Sequence, residues 1–357
     1  MENETIGFIG GKFLPFHLGH VYAIIAASNQ VDKLYVILSS SKNRDREICE
    51  RDGIKYMSAE VRLSWLGESL NNLDNVEILH IEDEGWDNDY DWEAGANMIK
   101  EAIGKPINFV FSSEHSYDEH FRRYYPEAKH IVIDSGRNIV DISATRMRRN
   151  LFEYWDKLPE CVRSFFVKKV AIVGTESCGK STLTKKLAKF FNTNYAHEVG
   201  REYCEKYSNQ LTYDMFNSIA MDHYLLQKKL AQKSNKYLFV DSEAVITQYY
   251  LDMYFEGKKS DLIEEIIKLE EYDLVIFLEP DIKWVDDGLR FAGGEEERRK
   301  NNIKLKGMFR ERDILFIKID GDYSNRFMKA KNAVDILIQP TGNKIDKFKN
   351  DVLEENI

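Results

Sequence analysis

Thr5 to His20 reads "TIGFIGGKFLPFHLGH". An apolar, strand-like run passes into a turn rich in glycine, and the turn passes into a helix-like stretch with His17 and His20 at its mouth. Gly10 and Gly11 allow close approach of a ligand to the backbone at the carboxyl end of the strand, which is where open α/β sheets bind ligands. A helix beginning near Gly19 offers free N–H groups and the positive end of its dipole. Two imidazoles beside such a site, protonated or as hydrogen-bonding groups, suit charge developing on a transferring phosphoryl or nucleotidyl group. Metal binding is a second use for the pair, but no third ligand lies nearby in the sequence.

Working outward, short β-branched runs alternate with helical patterns. Strands are expected at 5–10, 33–40, 75–82, 107–113 and 130–135, with helices near 20–29, 58–71, 92–103 and 117–124. A last helix is expected from about Thr145 through "RMRRNLFEYWDKL". Apolar strands separated by helices predict a parallel sheet covered on both faces. Pro159 and the basic residues after it mark a join at 155–168. Beyond it, strands are expected at 170–174, 195–199, 237–242, 273–279 and 314–320, with helices at 180–190, 213–234 and 323–336. The fold class is therefore α/β with two parallel-sheet domains: residues 1–160, residues 168–340, and a polar tail at 341–357.

The second domain opens with its own phosphate turn, "GTESCGKST", Gly174 to Thr182. It matches G-x-x-x-x-G-K-[ST] between a strand and a helix, the context a P-loop requires. Backbone amides from Gly174 to Gly179, with Thr182 in the first turn, would cradle ATP phosphates. Lys180 would reach the β/γ oxygens and Ser181 would ligate magnesium. Asp241, closing the apolar run "YLFVD", is the first choice for a metal-associated carboxylate or a base. Glu198, Arg201 and Glu202 of "AHEVGREY" are candidates for ribose binding or base duty, against the alternative of an exposed charged turn. The run "KWVDDGLRFAGGEEERRKNN", 283–302, has the glycine-flanked charge of a lid, with Arg290, Arg298 and Arg299 as arginines that would reach the transferring phosphoryl.

Composition narrows the classes. The chain has 357 residues, enough for two domains, and 19 Tyr and 20 Phe argue against disorder. A net charge of −10 disfavours a protein whose work is gripping a nucleic-acid backbone. Cys49, Cys161, Cys178 and Cys204 form no CxxC pair, so neither zinc knuckle nor disulfide framework is expected. No apolar run approaches a membrane span and no leader pattern is evident, so a soluble cytoplasmic protein is expected. The sequence does not fix an oligomeric state; a homo-oligomer is left open.

The string Gly11-x-Phe13-x-Pro15-x-His17-x-Gly19-His20 resembles the signature of the nucleotidyltransferase superfamily to which the HIGH-type synthetases are related. That family carries a second signature, Ile-Ser-x-Thr-x-x-Arg, and Ile142 to Arg148 reads "ISATRMR". The resemblance implies that Lys12, Phe13, His17, His20, Ser143, Thr145 and Arg148 handle ATP during attack on its α-phosphorus, with magnesium bridging phosphates. Such a domain followed by a P-loop kinase resembles the bifunctional NadR family over residues 5–340, with "SSEHSYD", "REY", "VDSEAVITQYY" and "WVDDGLR" as further matches.

This resemblance implies two reactions: phosphorylation of nicotinamide riboside by ATP, then adenylyl transfer to nicotinamide mononucleotide, giving NAD and pyrophosphate. Trp284 would lie against the kinase substrate, Asp286 and Asp287 near ribose hydroxyls, and either Trp86 or Trp92 would stack on nicotinamide in the first domain. Longer family members begin with a helix-turn-helix domain and act as repressors. Here the first strand begins at Thr5, so no repressor role and no nucleic-acid partner are expected. Alternatives are an adenylyltransferase/kinase for another small phosphate substrate, or a nucleotide sensor with weak turnover.

Overall fold

The computed structural model describes residues 4–82, 91–282 and 295–339. Trp86, Trp284, Asp286, Asp287, Arg290 and the tail at 341–357 lie outside the described residues. The chain divides into two compact units, 1–165 and 166–357.

In the first unit the elements run β1 (Ile6–Gly11), α1 (Leu18–Ser28), β2 (Lys33–Ser40), α2 (Lys42–Arg51), α3 (Ala59–Leu70), β3 (Val76–Glu82), α4 (Trp92–Ile103), β4 (Phe109–Ser112), α5 (Asp118–Tyr124), β5 (Lys129–Val132), α6 (Ala144–Arg149) and α7 (Glu160–Phe166). The strands form one sheet in the order β3-β2-β1-β4-β5, every pairing parallel. Ile6 pairs with Lys33 on one side of β1, and Gly7 with Phe109 on the other. The order reverses direction at β1/β4, and ligands of open α/β sheets bind outside the carboxyl ends at that switch point. Phe8, Ile37, Val110 and Ile99 bury one face. Ile9, Val36, Phe111 and Ile24, all nearly inaccessible, alternate onto the other.

The second unit runs β6 (Lys168–Val173), α8 (Lys180–Phe190), β7 (Tyr195–Ala196), α9 (Val199–Lys206), α10 (Tyr213–Gln232), β8 (Tyr237–Asp241), α11 (Ala244–Tyr254), α12 (Asp261–Leu269), β9 (Leu274–Leu278), α13 (Glu295–Arg310), β10 (Ile317–Ile319) and α14 (Tyr323–Ile336). Its sheet order is β10-β9-β6-β8-β7, again all parallel. Alternation along β6 splits the core. Val170 and Ile172 pack with Leu183 and Leu187 of α8 and Val334 of α14. Ala171 and Val173 pack with Phe216 of α10, Val245 of α11, Ile266 of α12 and Phe309 of α13.

Two sequence expectations need correction. The helix expected from Thr145 to 158 stops at Arg149, and Trp155–Lys157 is a separate single turn. Asn150 leaves helical geometry, with φ −138° and ψ 47°, and ends the helix; Leu151, Trp155 and Leu158 beyond it are all buried, with Trp155 only 2 % exposed. The strand expected at 195–199 ends at Ala196, because Glu198 already sits at the cap of α9.

Candidate active sites

In the first unit, β1 ends in Gly11 and the chain turns through a Leu14–Pro15 cis peptide into α1. His17 is the N-cap. Its Nδ1 accepts from the His20 backbone N–H at 3.4 Å, and His20 Nδ1 accepts from the His17 N–H at 3.3 Å. Each Nδ1 is thus an acceptor, which places the ring proton of both residues on Nε2. The rings stack 3.7 Å apart, and His20 also lies parallel to Phe16 and edge-on to Phe13. Gly19 makes room for this: a Cβ there would stand 3.0 Å from the His17 ring.

Burial, then the Arg137 charge, pulls the His17 pKa down to about 3; burial, His17 and Arg137 lower that of His20 well below its usual value. The pair therefore presents neutral N–H donors. His17 Nε2 is buried and has no hydrogen-bond partner among the described residues, an orphan donor beside a helix N-terminus.

The second signature meets the first. A Cβ on Gly19 would lie 3.5 Å from Ile142, and Arg148 donates to the Leu14 carbonyl at 2.8 Å. Arg148 also bonds Asp52 at 2.6 Å and the Thr145 hydroxyl at 3.2 Å. Ser143 caps α6 through the Arg146 N–H. Arg148 is thereby seated under the histidine turn. A second buried arginine, Arg62 of α3, does the same on the other side of Phe13, donating to the Lys12 carbonyl at 2.7 Å and to Asp45 at 2.6 Å. Asp45 in turn holds Lys12 Nζ at 2.9 Å. Phe13, between the two clamped carbonyls, has φ +47°, a costly conformation for an aromatic residue. Trp92 opens α4 in an aromatic group, stacked on His120 at 4.1 Å and tilted against Tyr117. The "SSEHSYD" segment closes on itself at the end of β4: Ser112 Oγ lies 2.8 Å from His130 Nε2, and His130 Nδ1 lies 2.5 Å from Asp118.

In the second unit the loop from Gly174 to Gly179 joins β6 to α8. Gly174 has φ +143° and a Cβ there would stand 2.7 Å from the Leu278 carbonyl oxygen; Gly179 has φ +89°. Both positions require glycine. Arg326 of α14, almost wholly buried, donates to the carbonyls of Cys178, Glu279 and Gly321 and fixes the loop from behind. Lys180 Nζ donates to the Thr175 carbonyl at 3.1 Å. Burial weakens its charge, but Cys178, Glu198, Asp241 and Glu176 outweigh that and its pKa ends raised. Cys178 is inaccessible and burial raises its thiol pKa, the opposite of a reactive cysteine.

A cleft of about 260 Å3 opens over this loop, lined by Gly179, Lys180, Ser181, Thr182, Glu198, Arg201 and Asp241 among others. Asp241 is 3 % exposed and its Oδ1 has no partner among the described residues. Burial, then Glu198, pushes its pKa up to about 6, against the opposing effects of Lys180 and Ser181. Glu198 stands at the cap position of α9 without making a cap bond. Arg201 bonds Glu205, and Glu202 pairs with His197 at 2.6 Å, away from the cleft lining. Of the expected lid, 295–302 is the start of α13. There Arg298 reaches the Ile282 carbonyl, at 3.4 Å from one of its nitrogens, and Arg299 is exposed. Asp45, Arg62, Arg137 and His223 belong to these sites but carry no motif; only the fold brings them there.

Comparison with known proteins follows the same division. A family model of an AAA domain matches residues 169–326. Over 347 residues, 93 % of this chain and 83 % of the relative, the chain is 33 % identical to the trifunctional NAD biosynthesis/regulator protein NadR of Escherichia coli (strain K12). This chain belongs to the NadR family. The NadR of Salmonella typhimurium (strain LT2) is also 33 % identical, over 96 % of this chain and 85 % of its own length. A crystal structure of NadR protein in complex with NR has the same fold, with TM-score 0.79 at 24 % identity over 96 % of this chain and 99 % of that one. A NadR complex with NAD and AMP-PNP gives TM-score 0.78 at 24 % identity, over 96 % of this chain and 98 % of that one. Among the described residues no helix is long and apolar enough to cross a membrane.

Proposed function

We propose that this chain makes NAD in two steps, one in each unit. The carrying observation is that each parallel sheet ends in its own anion cradle: the His17–His20 helix mouth in one, the Gly174–Ser181 loop in the other.

In the second unit ATP phosphorylates nicotinamide riboside. Lys180 and the loop amides hold the β- and γ-phosphates. The unpartnered Asp241 Oδ1 beside Ser181 is an oxygen set suited to Mg2+, which when bound neutralises phosphate charge. With Asp241 and Ser181 so placed, Glu198 accepts the proton of the attacking riboside hydroxyl, and the bond from the γ-phosphorus to ADP breaks. Thr182 lines the same cradle.

In the first unit the phosphate of nicotinamide mononucleotide attacks the α-phosphorus of a second ATP and pyrophosphate leaves. The nucleophile is already an anion, so no base is required. Catalysis is positioning and charge stabilisation. The Nε2–H groups of His17 and His20 donate to phosphate oxygens, Lys12 adds a cation, and Arg148, Ser143 and Thr145 shape the floor beneath them. Trp92 offers an aromatic surface to the nicotinamide. A net charge of −10 fits these small partners better than nucleic acid.

Incubation of the purified protein with ATP and magnesium, plus either nicotinamide riboside or nicotinamide mononucleotide, should give NAD from both. Phosphopantetheine in place of the mononucleotide should give no adenylylated product. NAD formed from neither substrate, or bound nucleotide without turnover, would overturn the reading.

A further inference from the structure

Among the buried polar side chains that line the kinase cleft is a histidine that phosphoryl transfer does not use. His223 of α10 is 4 % exposed and lines the cleft on the same helix face as Phe216 and Ile219. Leu211, Tyr250 and Tyr254 line the cleft as well. Its tautomer is set from behind. The Tyr272 hydroxyl donates to Gln227 Oε1 at 3.1 Å, which turns the Gln227 amide nitrogen toward Glu270, 2.6 Å away, and toward His223 Nδ1 at 3.5 Å. Glu270 is anchored in turn by the Ala244 N–H. Nδ1 is therefore the acceptor and Nε2 carries the proton. That Nε2–H has no hydrogen-bond partner among the described residues. A buried donor left without an acceptor is costly, a cost that a ligand acceptor placed against it would remove.

We propose that His223 Nε2–H donates to the carboxamide oxygen of the nicotinamide ring, making His223 the residue by which the kinase unit recognises its base. The proposal rests on the riboside-kinase reading above and deepens it. Phe216, Ile219, Leu211 and Tyr254 are surroundings for a flat ring rather than for a sugar. The ribose hydroxyls are donors better matched to the cleft's carboxylates. A pyridinium ring bears positive charge and would repel an imidazolium; burial, with the His197 imidazole adding to it and the His197 main chain opposing, holds the His223 pKa at about 4 and the ring neutral.

Three ribosides test this: nicotinamide riboside, 3-acetylpyridinium riboside, which keeps the carbonyl oxygen but lacks the amide N–H, and unsubstituted pyridinium riboside, which lacks both. All carry the same charge and sugar. The wild type should phosphorylate the first two with kcat/KM within about 5-fold of each other and the third on the order of 10- to 100-fold less well. His223→Phe should bring all three within about 3-fold. His223→Gln, which keeps an N–H at similar reach, should restore the discrimination. If His223→Phe fails to fold, His223→Leu, which also lacks the N–H, takes its place in the series. Equal kcat/KM on all three ribosides with the wild type, or discrimination that survives in His223→Phe, would overturn the proposal. If the wild type phosphorylates no riboside, the kinase reading fails and the proposal falls with it.

Discussion

His17 and His20 spend their Nδ1 atoms on each other's backbone and so keep both Nε2–H groups for a ligand. This reciprocal arrangement needs histidine at both positions and a separation of three positions along the chain, which is why the pair was legible from sequence. Asp45, Arg62, Arg137 and His223 were not legible. Each acts through a contact made only in the folded chain; Arg62 and Lys12, for example, are 50 positions apart. Two predictions sit at this scale. The first concerns Asp241, whose carboxylate must be ionised to hold a metal. With its pKa raised to about 6, kcat/KM for riboside phosphorylation should fall about tenfold per pH unit below that value. A pH profile flat down to 5 would contradict it. The second concerns stability. His223 is held at about 4 against an ordinary 6.5, so its folded form resists protonation while the unfolded chain takes up the proton. Its contribution is complete above 6.5 and is lost as pH falls toward 4. Between pH 6.5 and 5.5 the wild type should lose about 1 kcal/mol more unfolding free energy than His223→Gln, measured in urea. Equal slopes would refute the assignment.

At the scale of elements, α2 holds the first site together without touching the histidines. Asp45 in its first turn pairs with Arg62, Asp52 at its end pairs with Arg148, and the two arginines grip the carbonyls on either side of Phe13. The sequence KNRDREICER has no apolar stripe to announce a helix; the helix is fixed by these buried ion pairs, which only the assembled unit can satisfy. Helix α11 escaped sequence reading for a related reason: it buries residues on most of its circumference and so shows no amphipathic period. Strands β2 and β6, by contrast, are buried apolar runs ending at turns and were plain in the sequence. Removing one partner of a buried pair strands the other's charge, so Arg62→Ala should destabilise the first unit by about 3 kcal/mol. The double change Asp45→Leu with Arg62→Met should recover most of that stability yet raise KM for ATP in adenylyl transfer, because Lys12 loses its anchor. A loss below 1 kcal/mol for Arg62→Ala would mean the clamp is incidental. In the second unit Gly174→Ala must push a methyl group into the Leu278 carbonyl. It should abolish riboside phosphorylation, and full activity in that variant would exclude a P-loop role for the turn.

At the scale of the whole molecule, two sheets of different strand order each end in a phosphate cradle, and the contrast explains how one chain runs two transfers. The order β3-β2-β1-β4-β5 places a helix mouth with neutral donors at its switch point, suited to a nucleophile that is already anionic. The order β10-β9-β6-β8-β7 surrounds its loop with Asp241, Glu198 and Lys180, suited to a hydroxyl that must lose a proton. The fold class and both cradles could be read from contiguous motifs. Of the residues proposed for the nicotinamide ends, Trp92 was open to reading through the family resemblance, whereas His223, on α10 and in no contiguous motif, was not.

The most direct test is product analysis of two variants supplied with ATP and magnesium. Lys180→Ala should convert nicotinamide mononucleotide to NAD but leave nicotinamide riboside untouched, with a drop of about 10²- to 10³-fold in phosphorylation. His20→Ala should convert the riboside to the mononucleotide and let it accumulate, with NAD formation falling by a similar factor. If either variant loses both activities while remaining folded, the chain does not house two independent cradles and the account fails.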